Sequence, residues 1–209
     1  MAVPSRASSA YSLRTEAPYP LGDRDGDAQF ATWHGALVQL RAIEPEDWET
    51  YDEWNADDDQ ARNLDRIPFP QSRERVRRFA QQASIGESDG DNVRLVIADL
   101  DGNVAGDLTT HGCDPRVGCL SYGLNIRAGY RRQGFATEAI RLLLRYYFSE
   151  LHYQKATVHV FDFNEASVRL HERLGFTHEG RIRRVAFTRG RHHDALVLGI
   201  TAEEFANVG

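Results

Sequence analysis

The stretch of chain with the clearest chemical potential is residues 130–139, which read Tyr-Arg-Arg-Gln-Gly-Phe-Ala-Thr-Glu-Ala. It joins a predicted strand to a predicted helix through small residues. Such a turn leaves backbone N–H groups unpaired at the start of the helix, where they can bind the oxygens of a pyrophosphate. A single glycine before a helix is also typical of an ordinary loop with a solvated arginine pair, so this stretch alone favours neither interpretation.

A second unusual segment is strongly acidic. Nine acidic residues and no lysine or arginine lie between residues 44 and 59, namely Glu44, Glu46, Asp47, Glu49, Asp52, Glu53, Asp57, Asp58 and Asp59. Together with Trp48 and Trp54, these carboxylates would attract a cation by Coulomb and cation–π interactions. A charge run is also typical of a solvated helix face, and tryptophans at this spacing are typical of a core.

The surrounding pattern predicts the elements that position these residues. Asp101-Gly102 between two apolar runs predicts a tight hairpin, and Gly175 predicts a left-handed helix stop. The predicted order is a strand from residue 36, helices from Pro45 and over 72–85, strands over 93–100, 104–110 and 118–126, a helix over 134–150, a strand around Val158, a helix over 165–174, and strands near 180–188 and 192–200. This order indicates a mixed α/β sheet.

Composition limits the classes of protein that this chain can belong to. Its 209 residues, 41% hydrophobic and 27% charged, predict one folded domain over 34–209, with 1–33 as an N-terminal arm or tail. A net charge of −6 argues against an obligate nucleic-acid partner. Two cysteines are too few for a zinc site or a disulfide framework, and no apolar run is long enough for a membrane helix, so a cytoplasmic protein is expected.

Several spaced motifs resemble those of the GCN5-related N-acetyltransferase (GNAT) family. Arg131, Gly134 and Ala136 fill the family's Arg/Gln-x-x-Gly-x-Gly/Ala signature. In register with it, Asn164-Glu165-Ala166-Ser167 and Arg173-Leu174-Gly175-Phe176 are similar to the family's Asn-x-x-Ala/Ser and Leu-Gly-Phe segments. Gly123 and the segment 189–194 resemble the branch of ribosomal-protein-alanine and spermidine N-acetyltransferases. The resemblance spans about residues 36–201.

The resemblance implies a fold and a co-substrate. It implies a single α/β domain whose mixed, mostly antiparallel sheet is splayed at the cofactor site and flanked by about four helices. It implies acetyl-CoA as co-substrate and no metal. The implied cofactor-binding residues are the strand edge Leu124, Asn125 and Ile126, the turn Arg131, Arg132, Gln133, Gly134, Phe135, Ala136 and Thr137, and the side chain of Asn164. Asn164 can equally be a helix N-cap.

Catalysis in this family is direct attack of an amine on the thioester, which needs a proton acceptor and a proton donor. Many members carry a tyrosine as general acid seven residues beyond the asparagine, and this chain has His171 there. Some members place a carboxylate base five residues before it, and this chain has His159. His171 is otherwise a surface helix histidine, and His159 otherwise covers the core. Ser121 stands where ribosomal-protein-type members often have glutamate, which argues against a base there.

The resemblance also places the acidic segment against the acceptor. It predicts that Asp57, Asp58, Asp59 and Trp54 attract a cationic amine, either a small molecule or a peptide. Polyamines, ribosomal-protein N-termini, aminoglycosides and amino-acid-like amines are all used by relatives, and a homodimer is common among them. Two alternatives stay open: a non-catalytic acyl-CoA-binding sensor, and the same enzyme class using succinyl-CoA.

Overall fold

The computed structural model describes residues 32–64, 67–86 and 89–208. Most of the predicted N-terminal arm therefore lies outside the described residues. Trp33, which was assigned to that arm, already packs on the domain, with its ring 4.4 Å from that of Tyr146.

Seven strands form one sheet in the order β1-β2-β3-β4-β5-β7-β6. The strands are β1 Val38–Arg41, β2 Arg94–Asp99, β3 Val104–Asp114, β4 Cys119–Ile126, β5 Lys155–Phe161, β6 Thr177–Thr188 and β7 Arg191–Thr201. All neighbouring pairs are antiparallel except β4 and β5, which run parallel. The predicted mixed, mostly antiparallel sheet is confirmed.

Six α-helices flank the sheet in the described residues, two more than predicted. They are α1 Trp48–Trp54, α2 Asp58–Leu64, α3 Arg73–Ile85, α4 Phe135–Ser149, α5 Glu165–Arg173 and α6 Ala202–Asn207. Ser72 caps α3 as its sequence predicts, with its hydroxyl accepting from the N–H of Arg75. The sequence analysis missed α2 and α6.

Successive side chains of each strand point to opposite faces of the sheet. Apolar residues lie on both faces, and a layer of helices covers each face. On one face, α4, α5 and α6 cover a core that contains Leu108, Tyr122, Val158 and Leu198. On the other face, α1 and α3 cover a smaller core around Val96. The core of this second layer lies over β2 and β3, whereas α2 contacts β4 on the same face.

The parallel pair separates after a short contact. β4 and β5 pair only from Cys119 with Lys155 to Ser121 with Thr157. The rest of β4, from Tyr122 to Ile126, remains paired with β3 but has no partner on its other edge. The sheet is therefore splayed between β4 and β5, as expected, and α4 begins shortly beyond the end of β4.

Candidate active site

The turn before α4 provides unpaired backbone donors. Gly134, at the N-cap of α4, has a φ of 94°, and Arg132 has a φ of 61°. Among the described residues, no backbone N–H from Arg132 to Thr137 has an acceptor, because the first helical bond of α4 runs from Glu138 N–H to Gly134 C=O. These N–H groups, reinforced by the positive end of the helix dipole, form a site suited to an anion.

Glu138 lies close to these donors, but its carboxylate already accepts hydrogen bonds from other backbone N–H groups. Its carboxylate accepts hydrogen bonds from the N–H groups of Ala36, Leu37 and Val38, at 2.7–2.8 Å. The segment before β1 is thereby held against the first turn of α4. Leu37 then lies 3.0 Å from where a side-chain carbon on Gly134 would be, so glycine is required there both for its φ and for space.

The side chains of the turn have structural partners. Arg131 donates through Nε to the C=O of Ile126 at 2.9 Å and through Nη2 to Oε1 of Gln60 at 3.0 Å. Gln133 donates to the C=O of Gly129. Arg131 therefore connects the end of β4 to α2, a contact that its place in the signature does not reveal.

The free edge of β4 offers backbone groups in alternation. Because Arg127 N–H donates to Ala105 C=O, Ile126 is in a non-hydrogen-bonded pair with β3. The N–H and C=O groups of Leu124 and Ile126 consequently point into the gap, whereas those of Asn125 point toward β3. Two of the three predicted edge residues thus present their backbone to a ligand, and Asn125 instead places its side chain beside the cavity described below.

Asn164 lies at the start of α5, beyond the point where β5 leaves β4. Its side-chain oxygen accepts from the N–H of Ser167 at 3.2 Å, so the N-cap interpretation is correct. The cap uses only the oxygen, which leaves the side-chain NH₂ for a ligand.

His171 is buried rather than on the surface of α5. It is 2% exposed and contacts Tyr122 and Phe176, with ring centroids 5.9 and 5.0 Å away. Its Nδ1 donates to the C=O of Ser167 at 2.8 Å, while its Nε2 has no partner. Burial lowers its pKa, so the neutral ring presents Nε2 as an unprotonated nitrogen.

His159 lies on the opposite face of the sheet and is exposed. Since Thr157 pairs with Ser121, His159 is level with Gly123 at the point where the strands have parted. His111 of β3 is its electrostatic neighbour, and the pKa of His111 is lowered by burial and by the charge of His159. The histidine therefore does not cover the core but borders the gap.

A cavity of about 360 Å³ opens on the same face, between the sheet and helices α1, α2 and α3. Asp107 of β3 and Asn125 of β4 line it at the sheet, where the two residues are directly opposed. Burial raises the pKa of Asp107 to about 6, although Arg94 at 3.6 Å lowers it in part. Sequence analysis missed Asp107, and its one signal was a lone acid within the apolar run 104–108.

The cavity also collects unpaired polar atoms. Five buried side-chain polar atoms of the described residues have no hydrogen-bond partner. Three belong to residues that line this cavity, namely the hydroxyl of Tyr51, Nε1 of Trp54 and Nε2 of Gln60. The other two are the Tyr122 hydroxyl and His171 Nε2 on the opposite face. Because native proteins leave few such atoms, their grouping on either side of β4 indicates a ligand site.

The acidic segment has partners that its local sequence does not show. Asp58 and Asp59 pair with Arg62, Asp59 also with Arg189, and Asp57 caps α2 and lies 3.8 Å from the guanidinium of Arg131. None of these three carboxylates lines the cavity, whereas Trp54 does. These carboxylates therefore already have cationic partners, Arg62 one turn later in α2 and Arg131 and Arg189 far along the chain, and their attraction of the substrate stays a prediction.

The fork between β4 and β5, the unpaired N–H groups before α4 and the adjoining cavity are features of an acyl-CoA-dependent acyltransferase. A family model described as an acetyltransferase (GNAT) domain matches residues 38–177. The chain belongs to the GNAT family, as its sequence motifs predicted. It is an acyltransferase of that family.

Relatives and solved structures agree with this assignment. The SPbeta prophage-derived uncharacterized N-acetyltransferase YokL of Bacillus subtilis (strain 168) is 39% identical over 173 residues, covering 83% of this chain and 94% of YokL. The uncharacterized N-acetyltransferase p20 of Bacillus licheniformis is 24% identical, covering 84% and 98%. The spermidine N-acetyltransferase from Vibrio cholerae in complex with CoA and spermine has a TM-score of 0.71 at 22% identity, covering 82% and 99%, and supports the fold alone. No helix among the described residues is long and apolar enough to cross a membrane.

Proposed function

We propose that this protein transfers the acetyl group of acetyl-CoA to a primary amine by direct attack in a ternary complex. The observation that carries the proposal is the convergence of three features on β4: the unpaired N–H groups of the turn, the unpaired strand edge, and a cavity with a carboxylate. A CoA-bound thioester needs the first two, and an ammonium acceptor needs the third.

The residues present fit acetyl-CoA. In this proposal, the N–H groups of residues 132–137 hold the pyrophosphate, and Leu124 and Ile126 hold the pantetheine arm as a further strand would. The Asn164 NH₂ is a side-chain donor to the same arm. An N–H group of the β4 edge that faces the thioester oxygen would also stabilise the negative charge that develops there during attack.

Two groups on the open face are placed to accept the proton that the ammonium must lose before attack. Asp107 is the stronger candidate, because it lines the cavity and its pKa of about 6 suits proton transfer near neutral pH. His159 is the second candidate, because it borders the gap on the same face. The nitrogen then attacks the carbonyl carbon, the C–S bond breaks, and the nitrogen's second proton is lost.

On the other face, His171 is our proposed donor to the leaving thiolate. Its Nε2 is unprotonated at rest, so it must gain a proton before it gives one. Negative charge developing on the sulfur raises the pKa of a nearby imidazole and thereby favours that protonation. The overall reaction of an ammonium with the thioester yields an amide, a thiol and one proton released to solvent.

The test is release of free thiol from acetyl-CoA in the presence of a panel of primary amines, with the acetylated amine identified by mass spectrometry. A parallel arm with succinyl-CoA tests the donor. We expect amine-dependent thiol release with acetyl-CoA and little with succinyl-CoA. Binding of acetyl-CoA with no amine-dependent release would instead favour an acyl-CoA-binding sensor.

A further inference from the structure

The cavity beneath α2 has charged, polar and apolar lining residues, and these restrict the ligands that it can bind. At the sheet it presents Asp107, the one carboxylate among the described residues that line it. Arg94 already offsets part of that charge from 3.6 Å. A polyamine carries several positive charges and would need several carboxylates. This cavity is suited to one ammonium group.

The unpaired polar atoms of the residues that line this cavity are hydrogen-bond donors. The Trp54 indole nitrogen and the Gln60 NH₂ can only donate, and the Tyr51 hydroxyl can donate. The amide of Gln60 has a fixed orientation, because its oxygen accepts from Arg131. Each of the three atoms is shielded from solvent, and each belongs to a residue that lines the cavity. An ammonium group has no lone pair for such donors to bind, whereas a carbonyl oxygen has two.

Apolar side chains form much of the remaining wall, beside the amides of Asn55, Gln71 and Asn125. Ala61, Leu64, Pro68, Val76 and Phe79 line the cavity. At its rim, Leu64, Ile67 and Phe69 are exposed, Phe69 by 92%. A volume of about 360 Å³ lies at the lower end of the range of small-molecule sites, which is about 300–1,000 Å³. The space is therefore suited to a compact apolar side chain.

We propose that this cavity binds an α-amino carbonyl unit with an apolar side chain, with its ammonium on Asp107 and its carbonyl oxygen on the donors of Tyr51, Trp54 and Gln60. The inference rests on the proposed acetyl transfer and names its acceptor class. A free amino amide and the N-terminus of a peptide both carry this unit.

The test compares acceptors that differ only in the carbonyl group. Leucinamide and isoamylamine share one hydrocarbon chain, and only leucinamide has the carboxamide; a Leu-Ala-Ala tripeptide amide and spermidine complete the set. The measured quantity is the ratio of kcat/KM for leucinamide to that for isoamylamine. Because α-amino groups have a pKa near 8 and alkylamines one above 10, the ratio is compared between enzyme variants, where amine basicity cancels.

Trp54→Phe and Tyr51→Phe each remove one donor with little change of shape. Each is expected to lower the ratio about 3- to 10-fold, the equivalent of one hydrogen bond. Gln60→Glu keeps the acceptor for Arg131 but replaces the donor by a negative oxygen, and should lower the ratio at least tenfold. Trp48→Phe is the matched control, since Trp48 lies on the same helix but does not line the cavity. It should leave the ratio unchanged.

The outcomes separate this inference from the function on which it rests. A ratio that falls in the three variants and not in Trp48→Phe supports the inference, and the better substrate of leucinamide and the tripeptide, both of which carry an α-amino group, identifies the source. A ratio unaffected by Gln60→Glu overturns it while leaving acetyl transfer intact. No thiol release with any of the four amines overturns the proposed function and the inference together.

Discussion

Replacing Asp107 by asparagine should make the protein more stable and less active. Burial raises the pKa of this carboxyl from an ordinary 3.8 to about 6, so the folded state binds its proton more tightly than the unfolded state does. The protonated carboxyl therefore stabilises the folded state at low pH, and this stabilisation is lost as the pH rises through about 6. At 1.36 kcal/mol per pH unit, the ionised carboxylate costs about 3 kcal/mol at pH 7.5 and about half of that at pH 5.

Asp107→Asn removes this cost without changing the shape of the side chain. Urea unfolding at the two pH values measures the gain directly, and a thermal melt at pH 7.5 should show a rise of about 6–12 °C. Asp114→Asn is the matched control, because Asp114 lies on the same strand but Arg116 lowers its pKa to about 2. That variant should not be stabilised. A gain for Asp107→Asn that is absent, or equal at both pH values, would refute the assignment of a buried ionised carboxylate.

Activity tests the same residue independently. If Asp107 accepts the proton of the amine, kcat/KM should fall about 100-fold or more in Asp107→Asn, and the acidic limb of its pH profile near pH 6 should disappear. His159→Ala distinguishes the two candidate bases, because a wild-type profile does not show which of the two groups accepts the proton. Loss of the limb in His159→Ala alone would assign the base to the histidine.

Three further predictions concern other parts of the site. Gly134→Glu should weaken acetyl-CoA binding at least about tenfold, as measured by calorimetry. Gly102→Glu is the control, because Gly102 is a hairpin glycine of similar positive φ, and it should not change the affinity. Equal affinities of the two variants would show that the cofactor does not bind at this turn. His171→Ala should lower kcat at neutral pH by about 100-fold or more with little change in KM for acetyl-CoA, and an unchanged kcat would exclude it as the proton donor. The double variant Asp58→Asn/Asp59→Asn should change KM for the amine by no more than about twofold, because these exposed carboxylates are paired with arginines, and a large rise in that KM would restore their proposed role in attracting the substrate.

Local signals predicted most of the fold. Asp101-Gly102 produced the expected hairpin, with a φ of 89° at the glycine, and Gly175 ends α5 with the same φ. Helix α2 was missed because three consecutive aspartates are typical of a loop. They suit a helix start here, because Asp57 supplies the cap and Arg62 pairs with Asp58 and Asp59 one turn later.

The acceptor side of the site was less predictable for a physical reason. Whether a polar side chain has a partner depends on contacts between elements distant in sequence. Gln60 is oriented by Arg131, which is 71 residues away, and Asp107 acquires its raised pKa from the helices that cover it. A motif can identify the cofactor turn, because backbone N–H groups depend on local conformation, but it cannot identify an unpaired donor in a cavity.

The two contacts of Arg131 have a consequence for how each substrate affects the binding of the other. One guanidinium joins the C=O of Ile126, on the edge proposed for the pantetheine arm, to the side chain of Gln60 in the cavity. Any anion at the turn that draws this guanidinium away also releases the amide that Arg131 orients. The affinities of the two substrates are then thermodynamically linked, and each changes the affinity of the other by the same factor. If the turn and the cavity hold the two substrates as proposed, an analogue that fills either one should alter occupancy of the other.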